Sequence, residues 1–102
     1  MNVKGIEMDD KTRCRHYHSA EDVVAIRFYC CGEYYACIKC HEELAGHEVE
    51  VWPIEEQETR GIFCGNCQEE LLITLYKARS QCPNCNHNFN PGCKAHFPYY
   101  FE

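Results

Sequence analysis

Thiols and imidazoles are the side chains of this sequence that are best suited to chemistry. The chain of 102 residues contains ten cysteines and six histidines, and these are the residues that zinc prefers as ligands in proteins. In the second half, two Cys-x2-Cys pairs are separated by fourteen residues, a spacing typical of a zinc site with four thiolates. We call this set site 3: Cys64, Cys67, Cys82 and Cys85. Four protein ligands leave zinc no open coordination position, so the pattern predicts a structural metal.

The first half contains a denser group of eight candidate ligands, enough for two further tetrahedral sites. Cys40 and His41 are adjacent in a predicted helix, where consecutive side chains diverge by about 100°, so we assign them to different metals. If Cys37 and Cys40 share one metal, His41 and His47 belong to the other. The resulting sets are Cys14, His16, Cys37 and Cys40 for site 1, and Cys30, Cys31, His41 and His47 for site 2.

The pairing of Cys30 with Cys31 stays open at this point. Adjacent residues of a strand face opposite sides, so the two thiols can share a metal only if the chain turns there. Gly32 would allow such a turn.

Four cysteine and histidine residues fall outside the three sets: His18, His87, Cys93 and His96. We interpret them as packed or exposed side chains. A fourth metal site formed by these residues, and exposed or labile thiol chemistry at Cys93, are the alternatives.

Two enzyme motifs are present only in incomplete form. The segment His41-Glu42-Glu43-Leu44-Ala45 has alanine where the metalloprotease motif needs its second histidine. A zinc deaminase needs proline before a Cys-x2-Cys pair, whereas Cys82-Pro83-Asn84-Cys85 has it inside the pair. We therefore expect no enzyme, and we interpret the two glutamates as a solvated helix face.

Composition indicates that some cross-link must hold the fold together. Only 17 residues are Val, Ile, Leu or Met, and so small a hydrophobic core usually needs disulfides or a structural metal. The first 14 residues carry six charges and no apolar run, so we expect no secretory signal. No later stretch approaches the roughly 20 apolar residues of a membrane span, so we expect no such span either. We therefore expect a cytoplasmic location, where thiols stay reduced. Clustered cysteines in that compartment favour zinc binding, with disulfides and redox dithiols as alternatives.

The charge of the chain restricts its partners. The formal net charge is −6, and nine thiolates with three zinc ions would bring it to −9. The lysines and arginines are dispersed among acidic residues, so the basic patch of a nucleic-acid-binding protein is absent from the sequence. We expect a protein partner, contacted through the aromatic C-terminus (97–101) or the acidic stretch 48–58. The sequence does not determine the oligomeric state.

Short elements must position these ligands. Residues 21–29 are rich in β-branched and aromatic side chains and predict a strand, with Tyr34-Tyr35 as its return. Residues 38–45 predict a short helix ended by Gly46. Residues 61–63 and 71–76 predict the strands of a zinc ribbon, with a helix over 69–79 as the alternative. The closing aromatic residues predict core positions or a final strand.

We therefore expect one small α+β domain over 1–102 that is stabilised by zinc. Residues 12–47 form a two-zinc block and residues 61–102 form a zinc-ribbon-like block. Short strands and one short helix make up the two blocks.

The chain resembles the CHY-type zinc finger family from Thr12 to Phe101, nearly its whole length. The resemblance rests on Cys14-Arg15-His16-Tyr17 and on the later cysteines and histidines of the three sites. It implies three zinc ions with the pairing given above. Trp52-Pro53 and Phe89-Asn90-Pro91-Gly92-Cys93 resemble the stand-alone form of the module, and no RING spacing follows.

The resemblance supplies little about activity. The stand-alone form includes uncharacterised bacterial proteins and a mitochondrial intermembrane-space helper of the small Tim chaperones. We therefore expect three structural zinc sites in a protein-interaction module, and a labile zinc-handling or thiol-redox helper as the alternative.

Overall fold

A five-stranded mixed sheet runs through both halves of the chain. The structure, a computed structural model, describes residues 3–102, with the backbone only for residues 91–93. The strands are β1 (Val3–Lys4), β2 (Val24–Arg27), β3 (Tyr34–Tyr35), β4 (Arg60–Cys64) and β5 (Glu69–Leu72). Their order is β1-β3-β2-β4-β5, and every pair except β1–β3 is antiparallel. The pairing of β2 with β4 joins the two zinc-binding blocks in one sheet.

Three short α-helices accompany the sheet: α1 (Ile38–Leu44), α2 (Ile73–Ala78) and α3 (Phe97–Tyr100). Two 3-10 helices, Ile54–Glu56 and Pro91–His96, lie in the connections. The α+β class predicted from the sequence is therefore confirmed. The sequence predicted one helix, with a second over 69–79 as an alternative; α2 lies within that alternative and α3 is additional. In the described residues, no helix combines the length and apolar character needed to cross a membrane.

Helix α1 has the bounds that its sequence predicted, to within one residue. It begins after Cys37, whose sulfur accepts a hydrogen bond from the backbone N–H of Cys40 and so caps the helix. It ends before Gly46, which has φ of +71°, the left-handed conformation common just after helices. The same thiol can therefore start the helix and contribute to site 1.

The strand predicted over 21–29 is shorter, and at its C-terminal end the chain turns through the two adjacent cysteines of site 2. β2 ends at Arg27, and the backbone N–H of Gly32 donates to the carbonyl of Phe28. Gly32 has φ of +71°. The return strand at Tyr34 and Tyr35 is confirmed and pairs with β2.

The segment after the first Cys-x2-Cys pair of site 3 combines the two predicted alternatives, a strand and a helix. Residues 69–72 form β5, and the chain then turns into α2 instead of continuing as a strand to residue 76. The turn is fixed by packing, because Ile73 is fully buried against Gly61 of β4. A Cβ added at Gly61 would lie 2.7 Å from Cδ1 of Ile73, so any larger residue at this position would force the Ile73 side chain to shift.

The closing aromatic residues form a helical turn instead of the alternative final strand. Tyr100 and Phe101 are buried, which confirms their predicted core positions, whereas Tyr99 is 53% exposed. A backbone bridge between Trp52 and Phe101 ties this turn to the middle of the chain. The Trp52 indole N–H also donates to the carbonyl of Arg27, at 2.7 Å.

Candidate metal centres

The structure brings the twelve proposed ligands into three groups of four. Within each group the candidate ligand atoms all lie within 4.8 Å of one another. The groups are Cys14, His16, Cys37 and Cys40; Cys30, Cys31, His41 and His47; and Cys64, Cys67, Cys82 and Cys85. Their membership is that of sites 1, 2 and 3. The nine cysteines with described side chains are all free thiols.

The distances within site 1 fit a tetrahedral metal. Zinc bonds to sulfur and nitrogen imply S···S edges of about 3.8 Å and S···N edges of about 3.5 Å. The Sγ of Cys37 lies 3.6 Å from the Sγ atoms of both Cys14 and Cys40. The His16 Nδ1 lies 3.4, 3.5 and 3.9 Å from the sulfur atoms of Cys37, Cys40 and Cys14. His16 therefore faces the centre of the site with Nδ1.

A carboxylate holds the other side of the His16 ring. The Nε2 of His16 lies 3.3 Å from Oε2 of Glu43, which belongs to α1. With Nδ1 on the metal, Nε2 carries the proton and donates to this carboxylate, the arrangement that orients many metal-binding histidines. The pattern of the helix predicted a solvated position for Glu43 and gave no sign of this contact. No local pattern could have indicated it, because the two residues are 27 positions apart.

Site 2 answers the question about the adjacent cysteines. Cys30 and Cys31 lie beyond the end of β2, in the turn that Gly32 completes, and their sulfur atoms are 3.9 Å apart. The Sγ of Cys30 is 3.3 Å from Nε2 of both His41 and His47. These two nitrogen atoms are 3.2 Å apart, close to the edge of about 3.3 Å expected for two zinc-bound imidazoles.

The two histidines of site 2 are positioned by different means. With Nε2 on the metal, the Nδ1–H of His47 donates to the carbonyl of Ala45, at 3.1 Å. His41 is fully buried, and none of the described residues forms a hydrogen bond with its Nδ1. Its ring stacks on Phe28, with centroids 4.2 Å apart, and meets the edge of Tyr35 at 4.9 Å. Ring packing thus orients His41 where a hydrogen bond orients His47.

Site 3 is formed by two turns with the same backbone geometry. The N–H of Gln68 donates to the carbonyl of Cys64, and the N–H of Asn86 donates to that of Cys82. Gln68 and Asn86 both have positive φ, 65° and 62°. Sulfur atoms are 3.8 Å apart for Cys64 and Cys85, and 3.7 Å apart for Cys67 and Cys82. These are the edges of a four-thiolate tetrahedron.

The first turn of site 3 packs tightly against the N-terminal segment. A Cβ added at Gly65 would lie 2.0 Å from the carbonyl oxygen of Lys11. Gly65 also donates its N–H to the carbonyl of Val23, and the Thr12 hydroxyl donates to the same oxygen. The close contact between the two halves of the chain therefore depends on glycine at this position.

Without a metal, the pKa values of neighbouring thiols in one cluster differ widely. In the metal-free form, a hydrogen bond with Cys37 lowers the pKa of Cys14 to about 5, and the same bond raises the pKa of Cys37. In site 3, burial raises the pKa of Cys64. Burial also acts upward at Cys85, but a hydrogen bond from Asn66 brings its pKa down to about 6. Without a metal, a thiolate in such a cluster is stable only while neighbouring groups keep their protons and donate hydrogen bonds to it. A divalent cation stabilises several thiolates at once, so the cysteines no longer compete with one another to lose a proton.

The histidines outside the three sites have other surroundings. Nε2 of His87 lies 2.8 Å from the carbonyl oxygen of Ala20, His96 lies between the rings of Tyr17 and Tyr99, and His18 is exposed. Among the described side chains, none of these three belongs to a fourth ligand group. Cys93, named in the alternative fourth site, has its side chain outside the described residues.

Comparison with known proteins agrees with this geometry. A model of the CHY zinc finger family matches residues 14–95. Helper of Tim protein 13 from Kluyveromyces lactis is 43% identical over 99 residues, covering 97% of this chain and 87% of that protein. The protein of the same name from Saccharomyces cerevisiae is 42% identical over 104 residues, covering 98% and 90%. An uncharacterised protein from Schizosaccharomyces pombe is 45% identical over 101 residues, covering 99% and 89%.

The family match begins at the first ligand of site 1 and extends past the last ligand of site 3. The three clusters have the residue types and spacings of tetrahedral zinc sites. The chain therefore binds zinc, and it belongs to the CHY zinc finger family.

Proposed function

We propose that this chain is a non-catalytic protein that acts by binding another protein, and that its three zinc ions hold the binding surface in shape. The observation that carries the proposal is that each cluster offers four protein ligands. Zinc with four protein ligands has no open position for water or substrate, so it stabilises structure and does not activate a nucleophile.

The names of the relatives support a protein as the partner. Two of them, 43% and 42% identical to this chain over nearly its whole length, carry the name Helper of Tim protein 13. We propose that this chain likewise assists a client protein. Its cytoplasmic location stays a prediction from the sequence.

Surface charge argues for protein over nucleic acid. Three of the ten basic side chains lie within 4.0 Å of a carboxylate: Lys4 beside Glu33, Arg13 beside Asp9 and Arg15 beside Glu7. With nine thiolates and three zinc ions, the chain would carry −9. Binding to a phosphate backbone requires clustered cations, so we expect no gel shift with random-sequence DNA or RNA at physiological salt.

A labile zinc-handling or thiol-redox role is the second candidate, and the exposure of site 2 favours it. Cys31 and His47 are exposed and Cys30 is half-buried, so three of its four ligands are accessible to solvent. A competing ligand or an oxidant can reach such a site more easily than a buried one.

The test combines zinc retention with partner binding. Purified protein should contain about three zinc ions and should bind a purified small Tim chaperone of Saccharomyces cerevisiae saturably in a calorimetric titration. Absence of binding would contradict the proposed client. Rapid loss of one zinc of the three to a mild chelator, together with absence of binding, would favour the second candidate. One zinc or fewer, with disulfides found by mass spectrometry, would contradict the structural role of the metal.

A further inference from the structure

A groove of about 490 Å³ lies beside site 2. Its apolar lining comes from three parts of the chain: Ile38 of α1, Val49 and Val51 in the segment after site 2, and Pro98 and Tyr99 of α3. Tyr99 is half-exposed and Pro98 is exposed, so this apolar surface faces solvent. A surface of this kind is suited to a binding partner.

The charged side chains that line the groove are both acidic. Glu42 and Glu48 are exposed, and no lysine or arginine is among the described residues of the lining. The whole chain is also acidic, with a formal net charge of −6. An occupant that combines apolar side chains with lysine or arginine would match both the lining and the charge.

Two ligands of site 2 also line this groove. His41 belongs to α1, and His47 lies in the segment that continues to Val49 and Val51. Their Nε2 atoms are 3.2 Å apart. A metal held by both histidines therefore connects two walls of the groove.

We propose that this site-2 groove binds a segment of a partner protein that presents apolar side chains next to lysine or arginine, and that zinc at site 2 maintains its shape. The inference rests on the proposed function, because it assumes a protein partner. It adds the location of the contact, the chemistry of the bound segment and the metal on which binding depends.

The test uses a synthetic amphipathic peptide of leucine and lysine, with a leucine–glutamate peptide as the control probe. Added to the zinc-loaded protein, the lysine peptide should shift the amide NMR signals of Val49, Val51 and Tyr99 saturably, and the glutamate peptide should not. Shifts distributed over other acidic surfaces would overturn the proposed location.

Charge reversal distinguishes binding in the groove from a general attraction of the peptide to an acidic protein. The double variant Glu42→Lys/Glu48→Lys should weaken peptide binding roughly tenfold or more, since like charges then face each other. Glu69→Lys/Glu70→Lys changes the net charge equally on strand β5 and should leave binding within about twofold. Equal weakening by both would overturn the proposal. Tyr99→Ala removes an aromatic side chain from the apolar wall of the groove without a change of charge. All of these variants should retain about three zinc ions.

Loss of one ligand tests the role of the metal. Cys31→Ser should lower the zinc content to about two ions and abolish the groove-specific shifts. Unchanged peptide binding by this two-zinc protein would overturn the dependence on site 2.

The proposed function and the groove can fail separately. If the small Tim chaperone binds the wild type and the Glu42→Lys/Glu48→Lys variant equally, the groove is wrong and the function stands. If the peptide binds in the groove but the small Tim chaperone does not bind, the proposed client is wrong and the groove stands.

Discussion

Sites 1 and 2 are interleaved along one stretch of chain, yet they differ sharply in burial. Cys40 and His41 are adjacent in α1 and both fully buried, but they belong to different sites. In site 1 the three cysteines are all buried, whereas in site 2 only His41 is. Two sites with the same number of ligands can therefore contribute differently to stability and to exchange of the metal.

The difference comes from what covers each site. The N-terminal segment passes over site 1, where the N–H of Ile6 donates to the sulfur of Cys40 at 3.5 Å. The exposed ligands of site 2 lie next to turns, with Gly32 after Cys31 and Gly46 before His47, and both glycines have positive φ. Site 1 is part of the core, and site 2 is attached to it through His41.

Complete removal of zinc should have the largest effect. A structural zinc contributes on the order of 10 kcal/mol to folding, and ligands of sites 1 and 3 form part of the core. Strong chelation should therefore collapse the dispersion of the amide NMR spectrum. A limited amount of chelator should remove the site 2 metal first, with the rest of the spectrum preserved. Simultaneous loss of all three ions would contradict the difference between the sites.

Single ligand substitutions should separate the two sites. Cys40→Ser and Cys31→Ser should each lower the zinc content from about three ions to two. Because Cys40 is buried in the core and Cys31 is exposed, the first should unfold much of the chain and the second should spare most of the structure. Thermal unfolding followed by circular dichroism measures this. Equal losses of stability would show that burial of the ligands does not decide their contribution.

Glycine substitutions should also destabilise a tightly packed position more than an open one, with smaller losses of stability than the ligand substitutions. Gly65→Ala at site 3 places a Cβ against the backbone of Lys11, so the chain must move, at a cost of about 3 kcal/mol or more. Gly46→Ala at site 2 meets nothing within 4 Å and should cost only the left-handed backbone penalty of about 1–2 kcal/mol. Denaturant unfolding of the zinc-loaded variants gives both values. A larger loss for Gly46→Ala would contradict the packing described at Gly65.

Glu43→Gln should give the smallest effect and tests how His16 is held. Loss of a carboxylate that orients a metal-binding histidine lowers metal affinity roughly 10-fold to 100-fold, and we expect the lower end because Glu43 is about half-exposed, at 47%. Competition with a chelator measures the change, and cadmium NMR separates the sites by their number of thiolates. Glu42→Gln, the next residue of α1 toward the N-terminus, is the control. Equal weakening by the control would contradict a specific role for Glu43.

Much of the fold could be predicted because the responsible patterns are local. The start of α1 after Cys37 and its end before Gly46 depend on residues within one turn of each other. The transition from β5 to α2 could not be predicted, because leucine-rich residues suit either element. Burial of Ile73 against Gly61, twelve positions earlier, decided it. The helical turn at 97–100 likewise depends on its contact with Trp52.

The sequence by itself indicated most of the side chains that can share a metal, because each Cys-x2-Cys pair is short and adjacent helical residues cannot face the same ion. It left the pairing of Cys30 with Cys31 open, because that pairing needs a turn of the chain. Only the tertiary structure decided how deeply each set is buried and what surrounds it. The Glu43–His16 contact, the stacking of His41 on Phe28 and the groove beside site 2 join residues far apart in the chain. Their positions depend on the packing of the whole fold, which no local spacing encodes.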